Sequence, residues 1–210
     1  MTERPAMAPS DFAACWRATW AALKLDPPPG LVNELLARYA EPQRHYHTLQ
    51  HLAECLAGFE REQAHAVRPG EAAVALWFHD AIYDVHSHDN EARSADWARA
   101  ALQRAGASDA VAQRVHALVM ATCHDAQPVD ADAQLLVDID LSILGAPPER
   151  FAEYERQIRA EYAHVPPATF EPRRREILGR FLARDPLYLT PGLRAACEAR
   201  ARINLRAAIG

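Results

Sequence analysis

The residues Ala72-Ala73-Val74-Ala75-Leu76-Trp77-Phe78-His79-Asp80-Ala81-Ile82-Tyr83 form a stretch that is apolar except for an adjacent histidine and aspartate. A helix that is apolar on every side is buried on every side, so we predict a helix over 70–84 in the middle of the core. A buried ionised carboxylate is stable only when it is paired, protonated or bound to a metal ion. His79 and Asp80 are therefore either a hydrogen-bonded pair or part of a metal site.

Hydrophobic periodicity outward from this stretch predicts ten helices and no strand, the pattern of an all-α protein. The chain has 210 residues, a length typical of one domain, so we expect a single helical bundle over 1–210. In this interpretation a metal-site core covers about 40–146, and the helices of 147–210 pack on it. The predicted helices cover residues 10–24, 30–40, 47–63, 70–84, 89–105, 108–123, 131–144, 148–163, 168–183 and 191–208.

Charge and composition exclude several classes of partner. The net charge is −5 and the only basic run is Arg173-Arg174-Arg175, which is too little for binding nucleic acid or an anionic membrane surface. No apolar run reaches the 18 or more residues of a membrane span, and Met1–Ser10 lacks the apolar core of a signal peptide. We therefore expect a cytoplasmic protein. The four cysteines form no C-x-x-C pair, so we expect reduced, buried thiols.

A second charged pair interrupts the apolar segment Leu135–Leu144, at Asp138 and Asp140. At 100° per residue, Asp140 falls on the apolar stripe with Leu136, whereas Asp138 falls on the opposite side of the helix. We therefore expect Asp138 to be an ordinary solvated aspartate. Asp140 points inward and needs a partner, for which a cation shared with His79 and Asp80 is the simplest choice.

The histidines supply further candidate ligands, because nine of the ten lie between His45 and His124. His51 lies at the edge of the core-facing side of a predicted helix, and His47 lies one turn earlier on the same side. Two imidazoles and two carboxylates, without a thiolate, make a site for a divalent ion of manganese, iron, cobalt or zinc, with magnesium also in range.

The order His51, His79-Asp80, Asp140 resembles the H…HD…D signature of the HD superfamily of metal-dependent phosphohydrolases. Flanking motifs extend this resemblance over nearly the whole chain, toward an uncharacterised bacterial family of predicted HD phosphohydrolases. These motifs are Arg-His-Tyr-His-x-x-x-His (44–51), Trp-Phe-His-Asp-x-x-Tyr-Asp (77–84), Asn-Glu-x-x-Ser-Ala (90–95), Asp-x-Asp-Leu-Ser-Ile-Leu-Gly (138–145) and Glu-Tyr-x-x-Val (161–165).

The resemblance implies an HD-type helical fold with metal ligands at His51, His79, Asp80 and Asp140. One motif departs from the family, because Thr122-Cys123-His124-Asp125 stands where Thr-x-His-His is expected. Some HD proteins hold a second metal with additional histidines. The candidates for that role are His47, His116 and His124. Each could instead form a hydrogen bond to a metal ligand or lie on the surface.

The function that the resemblance implies is hydrolysis of a phosphomonoester or phosphodiester, on a nucleotide or another small phosphorylated metabolite. Asp80 and Asp84 are the candidate catalytic residues, with Asp84 expected one helical turn after Asp80. Candidate substrate-binding residues are Arg44, Asn90, Glu91, Arg159 and Arg174. Two other interpretations stay open, namely a di-iron oxygenase and a catalytically silent helical interaction domain.

Overall fold

The computed structural model describes residues 9–210, with side chains from Asp11 onward. The expectation about a leader at Met1–Ser10 thus falls almost wholly outside the described residues. The described chain is all-helical, which confirms the predicted fold class, and none of its helices is both long and apolar enough to cross a membrane. The helices are α1 (Pro9–Leu23), α2 (Leu31–Tyr39), α3 (Leu49–Glu62), α4 (Pro69–Phe78), α5 (Asn90–Arg104), α6 (Asp109–Met120), α7 (Ala131–Asp140), α8 (Pro148–Glu161), α9 (Pro167–Leu182) and α10 (Pro191–Ile209).

The chain packs as two compact units, one ending at Val137 and the other running from Asp138 to Gly210. The first unit contains α1 to α6 and most of α7, and the second contains the end of α7 and α8 to α10. Short 3₁₀ helices join some of these elements, at Gln63–His65, Ala121–Cys123 and Leu141–Gly145.

Helix α4 is the centre of the first unit, as its composition predicts. Every residue from Gly70 to Phe78 is buried, and α1, α3, α5 and α6 all pack against this helix. Trp77 makes edge contacts with the rings of Phe12 and Trp16, at centroid distances of 5.9 and 5.0 Å. Its indole nitrogen donates to the Thr19 hydroxyl group at 3.2 Å, so the buried N–H is satisfied.

The predicted extension of α4 to residue 84 is wrong, because the helix ends at Phe78. Beyond that point two backbone N–H groups bind side chains outside the helix. The amide of Asp80 donates to the Tyr39 hydroxyl group at 3.2 Å, and the amide of Ile82 donates to Ser94 Oγ at 3.0 Å. These acceptors replace the helical carbonyls, and the chain turns away. Asp84 is therefore not one helical turn after Asp80, as we expected, but lies in an exposed loop.

In the second unit, the 3₁₀ helix Leu141–Gly145 packs against α8 and α10. The expectation that Asp138 is solvated is wrong, because this residue is only 2% exposed. Its Oδ2 accepts hydrogen bonds from the amides of Leu189 and Thr190, at 2.7 and 2.5 Å. Burial raises the pKa of Asp138 to about 6, although these amides favour the charged form. The segment before α10 thus covers Asp138, within the second unit.

The four cysteines are free thiols, as predicted from their spacing. Only Cys55 is buried, whereas Cys15, Cys123 and Cys197 are half-buried, so the expectation that all four are buried is wrong. Cys197 packs closely on Gly145, where an added Cβ atom would stand 2.6 Å from the cysteine Cβ. A side chain at position 145 would therefore separate α10 from the 3₁₀ helix.

Candidate metal centre

His51 enters the core of the first unit from the first turn of α3. This helix begins at Leu49, two residues later than predicted, because the Thr48 side chain caps it by accepting from the Gln50 amide at 3.3 Å. The early position in the helix places His51 on its core-facing side with an exposed fraction of 1%. His47 precedes the helix and does not share its periodicity.

His79 is held at the C-terminal end of α4 and is also 1% exposed. Its Nδ1 lies 2.7 Å from the carbonyl oxygen of Leu76, which can only accept, so Nδ1 carries the proton and donates. The other ring nitrogen, Nε2, faces His51 and Asp80. Most histidine ligands of metal ions are oriented by such a hydrogen bond from the other ring nitrogen.

Three potential ligand atoms converge at this point. His79 Nε2 lies 3.1 Å from His51 Nε2 and 3.0 Å from Asp80 Oδ2, and the third separation, between His51 Nε2 and Asp80 Oδ2, is 3.3 Å. An ion with bonds of about 2.0–2.1 Å separates neighbouring ligand atoms by roughly 2.9–3.4 Å. The three atoms therefore have the spacing that one bound transition-metal ion requires.

Asp80 contributes a carboxylate with a side chain that is 16% exposed. Burial by itself raises the pKa of this carboxyl group, but the charges of His79 and His47 and hydrogen bonds from His51 and His79 hold it well below its usual range. The charged form, which is the form that binds a cation, is therefore the stable one at neutral pH.

The backbone of Asp80 is held on both sides by buried side chains. Arg44 donates to the carbonyl oxygen of Asp80 at 2.6 Å and to that of Ala81 at 3.1 Å, and its Nε donates to Glu41 at 3.1 Å. The Tyr39 hydroxyl group accepts from the amide of Asp80. Burial raises the pKa of Tyr39 to about 12, so this hydroxyl group stays protonated. Arg44, which the sequence predicts as a phosphate ligand, thus binds the backbone at the site.

Cys55 is a neighbour of the site that the sequence interpretation leaves out. It lies one turn after His51 on α3, and its Sγ is 3.8 Å from His51 Nδ1 and 3.7 Å from His51 Nε2. The ligand atoms of His51, Cys55 and His79 all lie within 4.8 Å of one another, so these buried side chains could hold a metal ion. The i, i+4 spacing of His51 and Cys55 is the signal that predicts this neighbour, and the expectation of a site without a nearby thiol is wrong.

The other candidate histidines lie in different surroundings. His47 stacks on the Tyr83 ring at a centroid distance of 4.0 Å, and its ring is 5.9 Å from that of His51. His116 lies on α6 with its Nε2 3.3 Å from Asp96 Oδ1. His124 is half-buried in a left-handed conformation, with φ of 58°, just after a 3₁₀ helix. His47 therefore has a ring contact with a proposed ligand.

Asp84 and Asn90 hold the exposed loop that follows the site. The amide of Asp84 donates to Asn90 Oδ1 at 3.1 Å, and Asn90 Nδ2 donates to the carbonyl oxygen of Asp84 at 2.9 Å. The Asp84 carboxylate accepts from the amide of His86 at 2.9 Å. Glu91 lies in the first turn of α5. Burial of Cys123 raises the pKa of its thiol, and the negative charge of Glu91 raises it further.

The remaining candidates belong to the second unit. Asp140 is the last residue of α7 and is half-buried. Burial raises the pKa of Tyr154, and the negative charges of Glu155 and Asp140 add a smaller increase. Arg174 lies over the Tyr154 ring at 4.9 Å and donates to Glu155 at 2.5 Å. Arg159 donates to the carbonyl oxygens of Tyr162 and Val165 at 2.7 and 2.8 Å.

Comparisons of the chain with protein-family models, with curated proteins and with solved structures give no match.

Proposed function

We propose that this protein is a metal-dependent phosphohydrolase of the HD type that acts on a nucleotide or another small phosphorylated metabolite. The observation that carries the proposal is the triangle formed by His51 Nε2, His79 Nε2 and Asp80 Oδ2, with sides of 3.0 to 3.3 Å. A buried set of two imidazoles and one carboxylate is suited to a divalent transition metal. The H…HD…D motif supports the same ligands and adds Asp140 as the fourth.

The residues of the triangle fit a resident metal ion in chemistry as well as in spacing. His79 is oriented by the hydrogen bond from Nδ1 to Leu76, so that Nε2 faces the site, and a bound ion would replace the proton that Nε2 shares with the Asp80 carboxylate. A bound divalent ion supplies a Lewis acid and a water molecule of lowered pKa. Among manganese, iron, cobalt, zinc and magnesium, the two imidazoles favour the transition metals over magnesium.

Within this proposal, the chain's own groups position the substrate and move protons. Asp84 is the candidate general base, because its carboxylate is exposed in the loop that follows Asp80. Asn90 binds the backbone of Asp84 and fixes this loop, so the role of Asn90 is to position Asp84. Arg174 is the candidate phosphate ligand of the second unit, since its guanidinium group already binds a carboxylate. Glu91 and Arg159 stay weaker candidates.

The proposal is tested by measuring metal content and phosphate release on one preparation of the full chain. We expect about one divalent ion per chain in the wild type and less than about a tenth of that in His79→Gln. The matched control is His65→Gln, which changes an exposed histidine paired with Glu62. Phosphate release from a panel of nucleotides and simple phosphate esters is expected to follow the metal content.

A second candidate function is favoured by the composition of the triangle itself. Two histidines and one carboxylate are also the ligand set of non-haem iron oxygenases. A di-iron enzyme requires a further histidine ligand, for which His47 is a candidate because its ring lies 5.9 Å from that of His51. About two irons per chain, with oxygen consumption in place of phosphate release, would favour this function. A wild-type chain that binds no metal after reconstitution would leave a helical interaction domain.

A further inference from the structure

Cys55 contacts one of the proposed metal ligands in the core of the first unit. It is 2% exposed, it is a free thiol, and its Sγ lies 3.7 Å from His51 Nε2, the nitrogen that also faces His79 and Asp80. Buried cysteines commonly act as small apolar side chains. Here the sulfur atom contacts the ring of His51 and lies within 4.8 Å of a ligand atom of His79.

The separation of sulfur and nitrogen matches coordination to one ion. With bonds of about 2.3 Å to sulfur and about 2.0–2.1 Å to nitrogen, tetrahedral geometry separates the two atoms by roughly 3.5–3.6 Å. The observed 3.7 Å to Nε2 is close to this value. The sulfur also lies 3.8 Å from Nδ1, and so beside the ring, which means that binding the ion requires a rotation of the Cys55 side chain. His51 and Cys55 lie one turn apart on the same rigid helix, so a metal ion can bind both without a change in the backbone.

We propose that Cys55 Sγ is a further ligand of the metal centre and makes it selective for a thiophilic ion, Zn²⁺, Co²⁺ or Fe²⁺, over Mg²⁺ and Mn²⁺. This inference rests on the proposed metal centre. On binding, the S–H bond of Cys55 breaks, the sulfur–metal bond forms, and the proton leaves to the buffer without any change in oxidation state. The sulfur ligand is absent from the H…HD…D motif, so it distinguishes this chain from a site built of nitrogen and oxygen alone.

Cobalt substitution of the full chain tests the inference without reference to activity. A thiolate bound to Co²⁺ gives an intense charge-transfer absorption in the near ultraviolet, which nitrogen and oxygen ligands do not give. We expect this band in the wild type and in Cys15→Ser, which changes a half-buried cysteine on α1. We expect it to be absent from Cys55→Ser and Cys55→Ala, while His51 and His79 still bind the ion.

The affinity for zinc provides a second measure. We expect Cys55→Ser to weaken Zn²⁺ binding by roughly tenfold or more and to change Mn²⁺ binding by less than about threefold, because manganese prefers oxygen ligands. X-ray absorption of the zinc-loaded wild type needs no variant, and we expect one sulfur neighbour at about 2.3 Å.

The outcomes separate the two proposals. If the wild type binds cobalt without a thiolate band, or if Cys55→Ser keeps the band, Cys55 is not a ligand and the metal centre itself stands. If the wild type binds neither cobalt nor zinc, the metal centre and the role of Cys55 are both overturned. If the Cys55 variants fail to fold, the sulfur neighbour in the wild-type absorption spectrum decides the question.

Discussion

The hydroxyl group of Tyr39 accepts a hydrogen bond from the backbone amide of Asp80, at 3.2 Å, in the interior of the first unit. The same hydroxyl group donates to the carbonyl oxygen of Trp77 at 3.3 Å. Tyr39 thus joins the last turn of α4 to the second residue beyond the helix. The direction in which the His79 and Asp80 side chains leave the helix depends on this contact from α2.

We expect Tyr39→Phe to weaken metal binding by roughly tenfold, because outer contacts of this kind orient the ligands. The variant also leaves the Asp80 amide without its acceptor, which costs about 1–2 kcal/mol of stability. The measurement is competition with a chromophoric chelator, together with urea unfolding of the apo form. Ser108→Ala is the matched control, since it removes the cap of α6 at a similar cost in stability. Equal losses of metal affinity in both variants would show a general effect of stability.

Arg44→Lys separates a positioning role from a role in substrate binding. The guanidinium group binds the carbonyl oxygens of Asp80 and Ala81 from two nitrogens, a geometry that an ammonium group does not reproduce. We therefore expect weaker metal binding and a loss of about 1–3 kcal/mol of stability.

Arg38→Lys is the control for Arg44→Lys, because exposed Arg38 pairs with the same carboxylate, Glu41. We expect Arg38→Lys to change neither the metal affinity nor the free energy of unfolding measurably. A variant Arg44→Lys that binds metal normally and inorganic phosphate more weakly would instead favour the phosphate contact predicted from the sequence.

Patterns within single elements were predictable from the sequence, and contacts between elements were not. The apolar composition of Gly70–Phe78 predicted a central helix, and the adjacent His79 and Asp80 predicted a polar cluster beside it. The same periodicity failed at Asp138, because a helical wheel cannot show that the amides of Leu189 and Thr190 bind this residue. The roles of Tyr39 and Arg44 depend on backbone atoms more than thirty residues away, so no local pattern reveals them.

The aspartates at positions 138 and 140 are expected to differ in function. Asp138→Ala leaves two backbone amides without an acceptor, so we expect a loss of about 1–3 kcal/mol of stability with metal binding retained. Asp140→Ala is expected to abolish metal binding at little cost to the stability of the apo protein. Elemental analysis and chemical unfolding of both variants make the comparison. Equal metal content in the wild type and Asp140→Ala would remove Asp140 from the ligand set.

Glu198 predicts a dependence of stability on pH in the second unit. Burial opposes ionisation of this carboxylate, but hydrogen bonds from the amides of Tyr188 and Leu187 and from Arg202 lower its pKa below the ordinary 4.5. A lowered pKa in the folded state gives stability that is present above the unfolded value and is lost as the pH falls through the folded value. We expect Glu198→Gln to cost about 1 kcal/mol at neutral pH and nothing in strong acid.

The control for Glu198→Gln is Glu176→Gln, because Glu176 also has a lowered pKa from arginine partners but lies on the surface. It removes the same charge, and we expect no measurable change in stability at either pH. Urea unfolding of the three proteins at pH 7 and in acid makes the test. If the free energies of unfolding of the wild type and Glu198→Gln differ by the same amount at pH 7 and in acid, the charge of Glu198 does not contribute to stability.

Removal of the metal is expected to lower the stability of the first unit by mass action. Free Zn²⁺ at about 100 times its dissociation constant raises the free energy of unfolding by about 2.7 kcal/mol if it binds only the folded chain. We expect a chelator to reverse this increase in the wild type and in His65→Gln, and to have no effect on His51→Gln. His51 is buried among the ligand atoms, whereas His65 is exposed at the far end of the same helical segment. An equal zinc effect in all three proteins would place the stabilising ion somewhere other than between His51 and His79.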